Sequence, residues 1–336
     1  MTRRRDFEKI SEVIGNAGCI AVAGHLHPDG DCAGSVLALS AYLKKEFPGI
    51  PVDTYLEEMP SCFDYLPGME GIKSEDDGGS PDLLFLLDTS APDRVGAAPG
   101  ILARAKRVVL IDHHISNPGF GDLNVIEPDK SSASEVLYTL LDPGKIDLSC
   151  ASALYTGIVH DSGIFRYSCT GPETLRIAAD LISRGVPFTR IIEKTFEERS
   201  YTETRILGEA LRTARLFADG RAVISSVTSE TMLHFGARKR DVDGVVAELR
   251  KTAGCEAAVF LYPADTGYKA SLRSRSFLDV SKVAALFGGG GHIRAAGCSM
   301  DMDLTEAENL LMKAVEEALV RSDENADDMR KDAVGL

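Results

Sequence analysis

No apolar run in the 336-residue chain approaches the ~18 residues that a membrane-spanning helix requires, so the sequence argues against membrane insertion. It has no C-x-x-C pair either. Seven cysteines (Cys19, Cys32, Cys62, Cys150, Cys169, Cys255 and Cys298) are odd in number and irregularly spaced, which speaks against a disulfide framework and for reduced thiols in a cytoplasmic protein. No secretory signal is expected: the basic start MTRRR is followed by Asp6, Glu8 and Glu12, where an apolar core would lie. Basic residues are in deficit, 37 Lys and Arg against 51 Asp and Glu, for a formal net charge of −14. That balance excludes a broad electrostatic grip on long duplex DNA, whose affinity comes mainly from Lys and Arg neutralising phosphates. A small, enclosed anion remains admissible as a substrate, and bound cations would cancel part of the acidic excess.

What is present is the composition of a soluble globular protein, 44% apolar and 26% charged, in a chain long enough for two domains of about 100–200 residues. In the first half CIAVAG (19–24), VDTYL (52–56), LLFLLD (83–88) and RVVLID (107–112) read as strands. The last two are apolar enough to be buried on both faces. Helical patterns at 32–46, 132–141 and 150–160 alternate with these strands, which predicts an α/β domain with a doubly wound parallel sheet. Consecutive helices follow over 172–217. The runs GRAVISSV, EAAVFLYP and GYKASLRSR then read as strands, with helices at 229–235, 241–252 and 304–321, as in a smaller α+β domain with a mixed sheet. The expected boundaries are a first domain over 1–185, a helical connector over 186–217, a second domain over 218–322 and a polar, fraying tail over 323–336.

Histidines and aspartates gather where strands end. His25, Asp29 and Asp31 follow the first strand, Asp88 ends the third, Asp112, His113 and His114 end the fourth, and Asp161 follows a helix. One aspartate in such a place is ordinarily a helix cap or a turn residue. Four separate segments bearing them, in a fold whose sites form at the carboxyl ends of strands, point instead to one crevice. Carboxylate and imidazole without a thiolate pair suit manganese, iron or zinc in a paired site, while pure oxygen cages would suit magnesium or calcium better; two divalent ions are expected, manganese first, with magnesium, iron, cobalt and zinc as alternatives. Two such ions can acidify a water and brace both oxygens of a phosphoryl transfer, so the chemistry implied is phosphoester hydrolysis. The second half offers an anion site. Alternation in SLRSR puts Arg273 and Arg275 on one strand face and Ser274 on the other. In FGGGGHIRAAG the glycines, Gly289, Gly290 and Gly291 among them, let backbone N–H groups approach an oxyanion beside His292.

The segments HLHPDGD, DTSAPDRVG, DHH and GIVHDSGIFRY resemble, in order and spacing, the four motifs of the DHH phosphoesterase superfamily, and GGGGHIRAAG resembles the signature of its DHH-associated C-terminal domain. The resemblance spans most of the chain. It implies His25 and Asp29 as ligands of one metal ion, Asp31 and His113 as ligands of a second, and Asp88 and Asp161 as shared. His114 would contact the scissile phosphate or the leaving group, and Asp112 would orient its histidine neighbours. The terminal phosphate of the substrate would rest on Arg273, Ser274, Arg275, the glycines and His292, while Arg94 in DRVG fits a salt bridge or a substrate contact equally. His160 and Ser162 flank Asp161 where the family more often has threonine. The likeness is greatest to stand-alone two-domain nanoRNases, which hydrolyse very short RNA oligomers and 3′-phosphoadenosine 5′-phosphate (pAp) with a hydroxide made by two metal ions. Cyclic-dinucleotide phosphodiesterases share every motif and are the first alternative. Single-strand exonucleases, pyrophosphatases and a non-catalytic nucleotide sensor come after them. The resemblance also implies a homodimer formed through the first domain.

Overall fold

The computed structural model describes residues 12–97 and 99–334, with side chains to residue 322. The basic opening and the end of the polar tail lie outside the described residues. The chain divides into two compact units, the first ending at Glu198 and the second beginning at Arg199.

The first unit is built on six strands, β1 Ile20–Ala23, β2 Val52–Tyr55, β3 Ile72–Lys73, β4 Leu83–Leu87, β5 Val108–Asp112 and β6 Leu123–Ile126, all parallel and ordered β3-β2-β1-β4-β5-β6. Alternate residues of the sheet face two cores. Ile20, Val22, Phe85, Leu87, Val109 and Ile111 pack beneath α1 Gly30–Glu46, α3 Ala133–Leu140 and α4 Leu148–Asp161. Ala21, Ala23, Leu84, Leu86 and Leu110 face the smaller layer that holds Ile101 of α2 Pro99–Arg104. With both faces covered, β4 and β5 are apolar along their whole length. The strand order reverses between β1 and β4, and at such a switch point the loops leaving two neighbouring strands diverge and open a crevice. Helices α5 Pro172–Ser183 and α6 Phe188–Ile192 complete the unit.

The second unit carries a mixed sheet ordered β11-β12-β10-β9-β8-β7, from β7 Arg215–Phe217, β8 Ala222–Ser226, β9 Ala257–Pro263, β10 Tyr268–Ser274, β11 Gly290–His292 and β12 Ala295–Met300. Only the β8–β9 pair is parallel. On one face lie α10 Val280–Ala285 and α11 Leu304–Val334; on the other lie α7 Tyr201–Arg212, α8 Ser229–Phe235 and α9 Val245–Leu249. The segment expected as a connector is thus divided. Residues up to Glu198 stay with the first unit, α7 buries Ile206 and Ala210 against the second sheet, and Arg215–Phe217 is that sheet's edge strand. No described helix is long and apolar enough to cross a membrane, and none of the seven cysteines is in a disulfide.

Candidate metal centre

Beyond β1 the chain stays extended just long enough for His25 to pair with Val95, while Leu26 N–H donates to the Arg94 carbonyl at 2.7 Å. The His25 ring is fixed at Nδ1 by the Leu26 carbonyl at 2.7 Å. Its Nε2 therefore faces Asp88 Oδ2 at 3.4 Å and Asp29 Oδ1 at 3.8 Å. Asp29 also caps α1, accepting from the Asp31 and Cys32 N–H groups at 3.0 and 3.1 Å. The ordinary reading of a strand-end aspartate and the functional one are here true of the same residue.

Asp31 lies one residue into α1 with no exposure. Its two oxygens accept from Ala133 N–H at 2.6 Å and Ser134 N–H at 3.0 Å, the free donors at the start of α3. Asp88, immediately after β4, sits in the left-handed region at φ 52°, a conformation aspartate tolerates better than most residues. From there its carboxylate points into the cluster. Oδ1 lies 3.5 Å from both His113 Nε2 and His114 Nδ1, yet this buried oxygen has no hydrogen bond. His113 Nε2 is also 3.0 Å from Asp161 Oδ2, and its Nδ1 turns to the Lys130 carbonyl at 3.4 Å. His114 Nδ1 donates to Asp112 Oδ1 at 2.8 Å, and the other Asp112 oxygen accepts from Asn117.

The result is three overlapping groups whose ligand atoms lie within 4.8 Å of one another: His25, Asp29 and Asp88; Asp31, His113 and Asp161; and Asp88, His113 and His114. Their electrostatics follow from crowding. Burial and repulsion from neighbouring carboxylates push Asp31 and Asp161 above the usual carboxylate range. At Asp29 and Asp88 burial is outweighed by imidazole partners, which hold them below it. The imidazoles respond in turn: despite burial, His25 is driven far up by Asp29 and Asp88, and His113 up to about 11 by Asp161 and Asp88. His114 is raised chiefly by its hydrogen bond to Asp112. So dense a negative pocket attracts positive charge. The unpartnered Asp88 oxygen, and two imidazoles pinned at Nδ1 so that Nε2 faces the acids, fit a pair of divalent cations.

All six residues expected as ligands thus meet in one place, with His114 and Asp112 beside them. Two other residues of interest stand apart. His160 lies between the Phe63 and Phe196 rings, at 5.0 and 4.7 Å, pressed against Gly30, and belongs to none of the three groups. Arg94 is exposed and has no ion pair among the described residues.

In the second unit the glycine run is not an open loop. Gly290–His292 is a strand pairing with Ala295–Met300 across the two-residue turn Ile293–Arg294. Gly291, at φ 144°, is forced by close approach: a Cβ would lie 2.5 Å from the Ala295 carbonyl oxygen. Register places His292, Ala295, Arg273 and Ala258 in one cross-strand row, so His292 and Arg273 share a face with only the small Ala295 between them. Arg275 follows just beyond β10. Ser274 points the other way, fully buried, its hydroxyl donating to the Ile293 carbonyl at 3.4 Å. A third guanidinium joins them: Arg250, at the end of α9, accepts an Arg275 bond on its carbonyl. Together with burial, its charge lowers the pKa of Arg273. Sequence reasoning missed Arg250, as well as Asn117 and Lys130, because each reaches the site through a loop or helix end with no motif of its own.

Residues 19–158 match the DHH family N-terminal domain, and residues 219–321 match the DHHA1 domain. A curated relative, the bifunctional oligoribonuclease and PAP phosphatase NrnA of Thermus thermophilus, is 33% identical over 91% of both chains. The chain belongs to the DHH family of phosphoesterases. A Bacillus subtilis protein of the same name is 26% identical over 85% of this DHH chain and 90% of its own. Among solved structures, an exopolyphosphatase-related protein from Bacteroides fragilis superposes with a TM-score of 0.80 at 26% identity, covering 94% of the DHH chain and 96% of its own.

Proposed function

We propose that this DHH phosphoesterase is a manganese-dependent hydrolase of short oligoribonucleotides and of pAp, working in the cytoplasm. The observation that carries the proposal is the buried Asp88 carboxylate, which faces His25 with one oxygen and leaves the other unpartnered between His113 and His114. His25, Asp29 and Asp88 would hold one ion and Asp31, His113 and Asp161 the other, with Asp88 between them. When bound, such a pair of ions acidifies a water and offsets charge on phosphoryl oxygens.

The chain's own residues do the rest. His114, oriented through Nδ1 by Asp112, keeps Nε2 as its free ring nitrogen for the scissile phosphate or the leaving oxygen. Asn117 fixes Asp112 from behind by bonding both its carboxylate and the Thr89 carbonyl, which leaves His114 little freedom to turn away. Arg94, exposed beside the His25–Val95 bridge, supplies a cation to the substrate. The second unit supplies an anion anchor through Arg273, Arg275, Arg250 and His292, with the Gly289–Gly291 backbone alongside; Ser274 supports the hairpin from inside. An anchor for a terminal phosphate favours short substrates over long strands, in keeping with the net charge of −14. The name of the Thermus thermophilus relative, an oligoribonuclease and PAP phosphatase, supports the substrate class.

The test is turnover of pApA, pAp and cyclic di-AMP with Mn²⁺ and with a chelator, products being resolved by chromatography. AMP from pApA and phosphate release from pAp, both lost on chelation, are expected. Opening of the cyclic dinucleotide alone would replace this reading with a signalling phosphodiesterase.

A further inference from the structure

The two groups of three ligands are supported very differently. His25, Asp29 and Asp88 are held by their own neighbourhood, the Leu26 carbonyl, the start of α1 and the end of β4. In the other group, Asp31 and His113 both hang from one short segment, residues 130–134. The backbone N–H groups of Ala133 and Ser134 grip the two Asp31 oxygens, and the Lys130 carbonyl meets His113 Nδ1. That segment is in turn tied to a single buried carboxylate. Glu135, 1% exposed, accepts from Ser131 N–H at 3.1 Å, Ser131 hydroxyl at 2.6 Å and Thr174 hydroxyl at 2.8 Å through Oε2, and from Lys130 Nζ at 3.2 Å through Oε1. Lys130, also buried, reaches Glu173 at 2.7 Å, so the network is anchored to the first turn of α5.

A buried carboxylate with four donors is costly to assemble and strongly fixes whatever it binds. Here what it binds is the segment that aims two of three ligands. We propose that Glu135 is a positioning residue for one cation only: through Ser131, Lys130 and Thr174 it sets Asp31 and His113, and it leaves the His25, Asp29 and Asp88 group untouched. The inference rests on the paired-cation reading of the site and adds an asymmetry to it. Loosening the 130–135 segment lets the Asp31 carboxylate and the His113 ring turn, which costs affinity at the Asp31, His113 and Asp161 group alone.

The experiment titrates Mn²⁺ into the full-length protein by calorimetry and follows it by electron paramagnetic resonance, comparing wild type with Glu135→Gln and Lys130→Met. Glu135→Gln keeps side-chain length and Lys130→Met all but the terminal nitrogen, and a thermal melt of the metal-free proteins checks folding. Wild type is expected to bind two ions with a spin-coupled spectrum. In each variant one constant should weaken by about 10–100-fold, the usual effect of losing an outer hydrogen-bonding partner, while the other stays within about twofold. At equal loading the coupled spectrum should give way to that of isolated Mn²⁺. Adding Glu135→Gln to Asp161→Asn should leave the ion of the His25, Asp29 and Asp88 group bound as tightly as in Asp161→Asn alone, since both substitutions act on the other ion. Equal weakening of both ions, or of neither, in a folded variant overturns the positioning role and leaves the paired site standing. A wild type that binds fewer than two ions overturns both.

Discussion

Gly34 lies one turn into α1 beyond Asp31, where that helix crosses α4. A Cβ there would sit 2.5 Å from the Ala153 carbonyl oxygen, 2.8 Å from Gly157 N and 3.0 Å from Gly157 Cα. All three are backbone atoms, so no side chain can turn aside. Reaching ordinary contact at 3.4 Å requires the helices to separate by about 0.9 Å. Overpacking of this kind costs about 1–3 kcal/mol and forfeits contacts along the rest of the crossing, while the better helix propensity of alanine returns about 1 kcal/mol. Gly34→Ala should therefore destabilise the first unit by about 2 kcal/mol, or about 4–8 °C in melting temperature for a unit of this size. The same shift moves Asp31, on α1, relative to Asp161, at the end of α4, and should weaken Mn²⁺ binding. Gly208→Ala makes the matching control. It lies exposed within α7 with nothing near its missing Cβ, and should stabilise the second unit by up to about 1 kcal/mol. Differential scanning calorimetry of both variants decides the matter. A Gly34→Ala protein that melts no lower than wild type would refute the reasoning.

Further expectations follow from individual side chains. Glu256 accepts from Ser276 and from the backbone N–H groups of Ser276, Phe277 and Leu278 at 2.7–3.1 Å. Burial opposes its ionisation, but these donors outweigh it and hold the carboxyl below the usual range. Its contribution is therefore complete above the unfolded pKa, near 4.3, and lost as pH falls through the lower folded value. Glu256→Gln should destabilise the second unit by about 2–3 kcal/mol at pH 7 and remove this part of its acid sensitivity, as measured by denaturant melts at pH 7 and pH 3. Arg273→Ala should mainly raise KM for pApA, since it removes binding rather than chemistry; a pure loss of kcat would put Arg273 at the reacting phosphate. Asp112→Asn leaves His114 Nδ1 with a weaker partner in an almost unchanged space and should lower kcat at least tenfold with little change in Mn²⁺ affinity. A fall in metal affinity would mean that Asp112 supports His113 rather than His114.

The fold was legible where the side chains repeat. The apolar runs of β4 and β5, buried on both faces, declare themselves, and the six candidate ligands follow because each lies at or near the end of a regular element. β3 escaped because it has only two half-buried residues, and β6 because LNVI alternates too briefly to show a face. The β11–β12 hairpin was misread because three glycines and two alanines carry little hydrophobic pattern; a run of glycines reads as a loop until its partner strand is known. Asp29 and Asp31 were legible as both caps and ligands. The network behind Asp31 was not: Glu135, Lys130 and Thr174 meet over up to 44 residues of sequence, and no local periodicity reports such a contact.

The most direct test of the account is anomalous diffraction at the manganese edge from crystals soaked in Mn²⁺. Two peaks about 3.5–4 Å apart, with an Asp88 oxygen reaching each, are expected. A single peak, or two that leave Asp88 unliganded, would contradict the paired-cation centre on which the proposed hydrolysis depends.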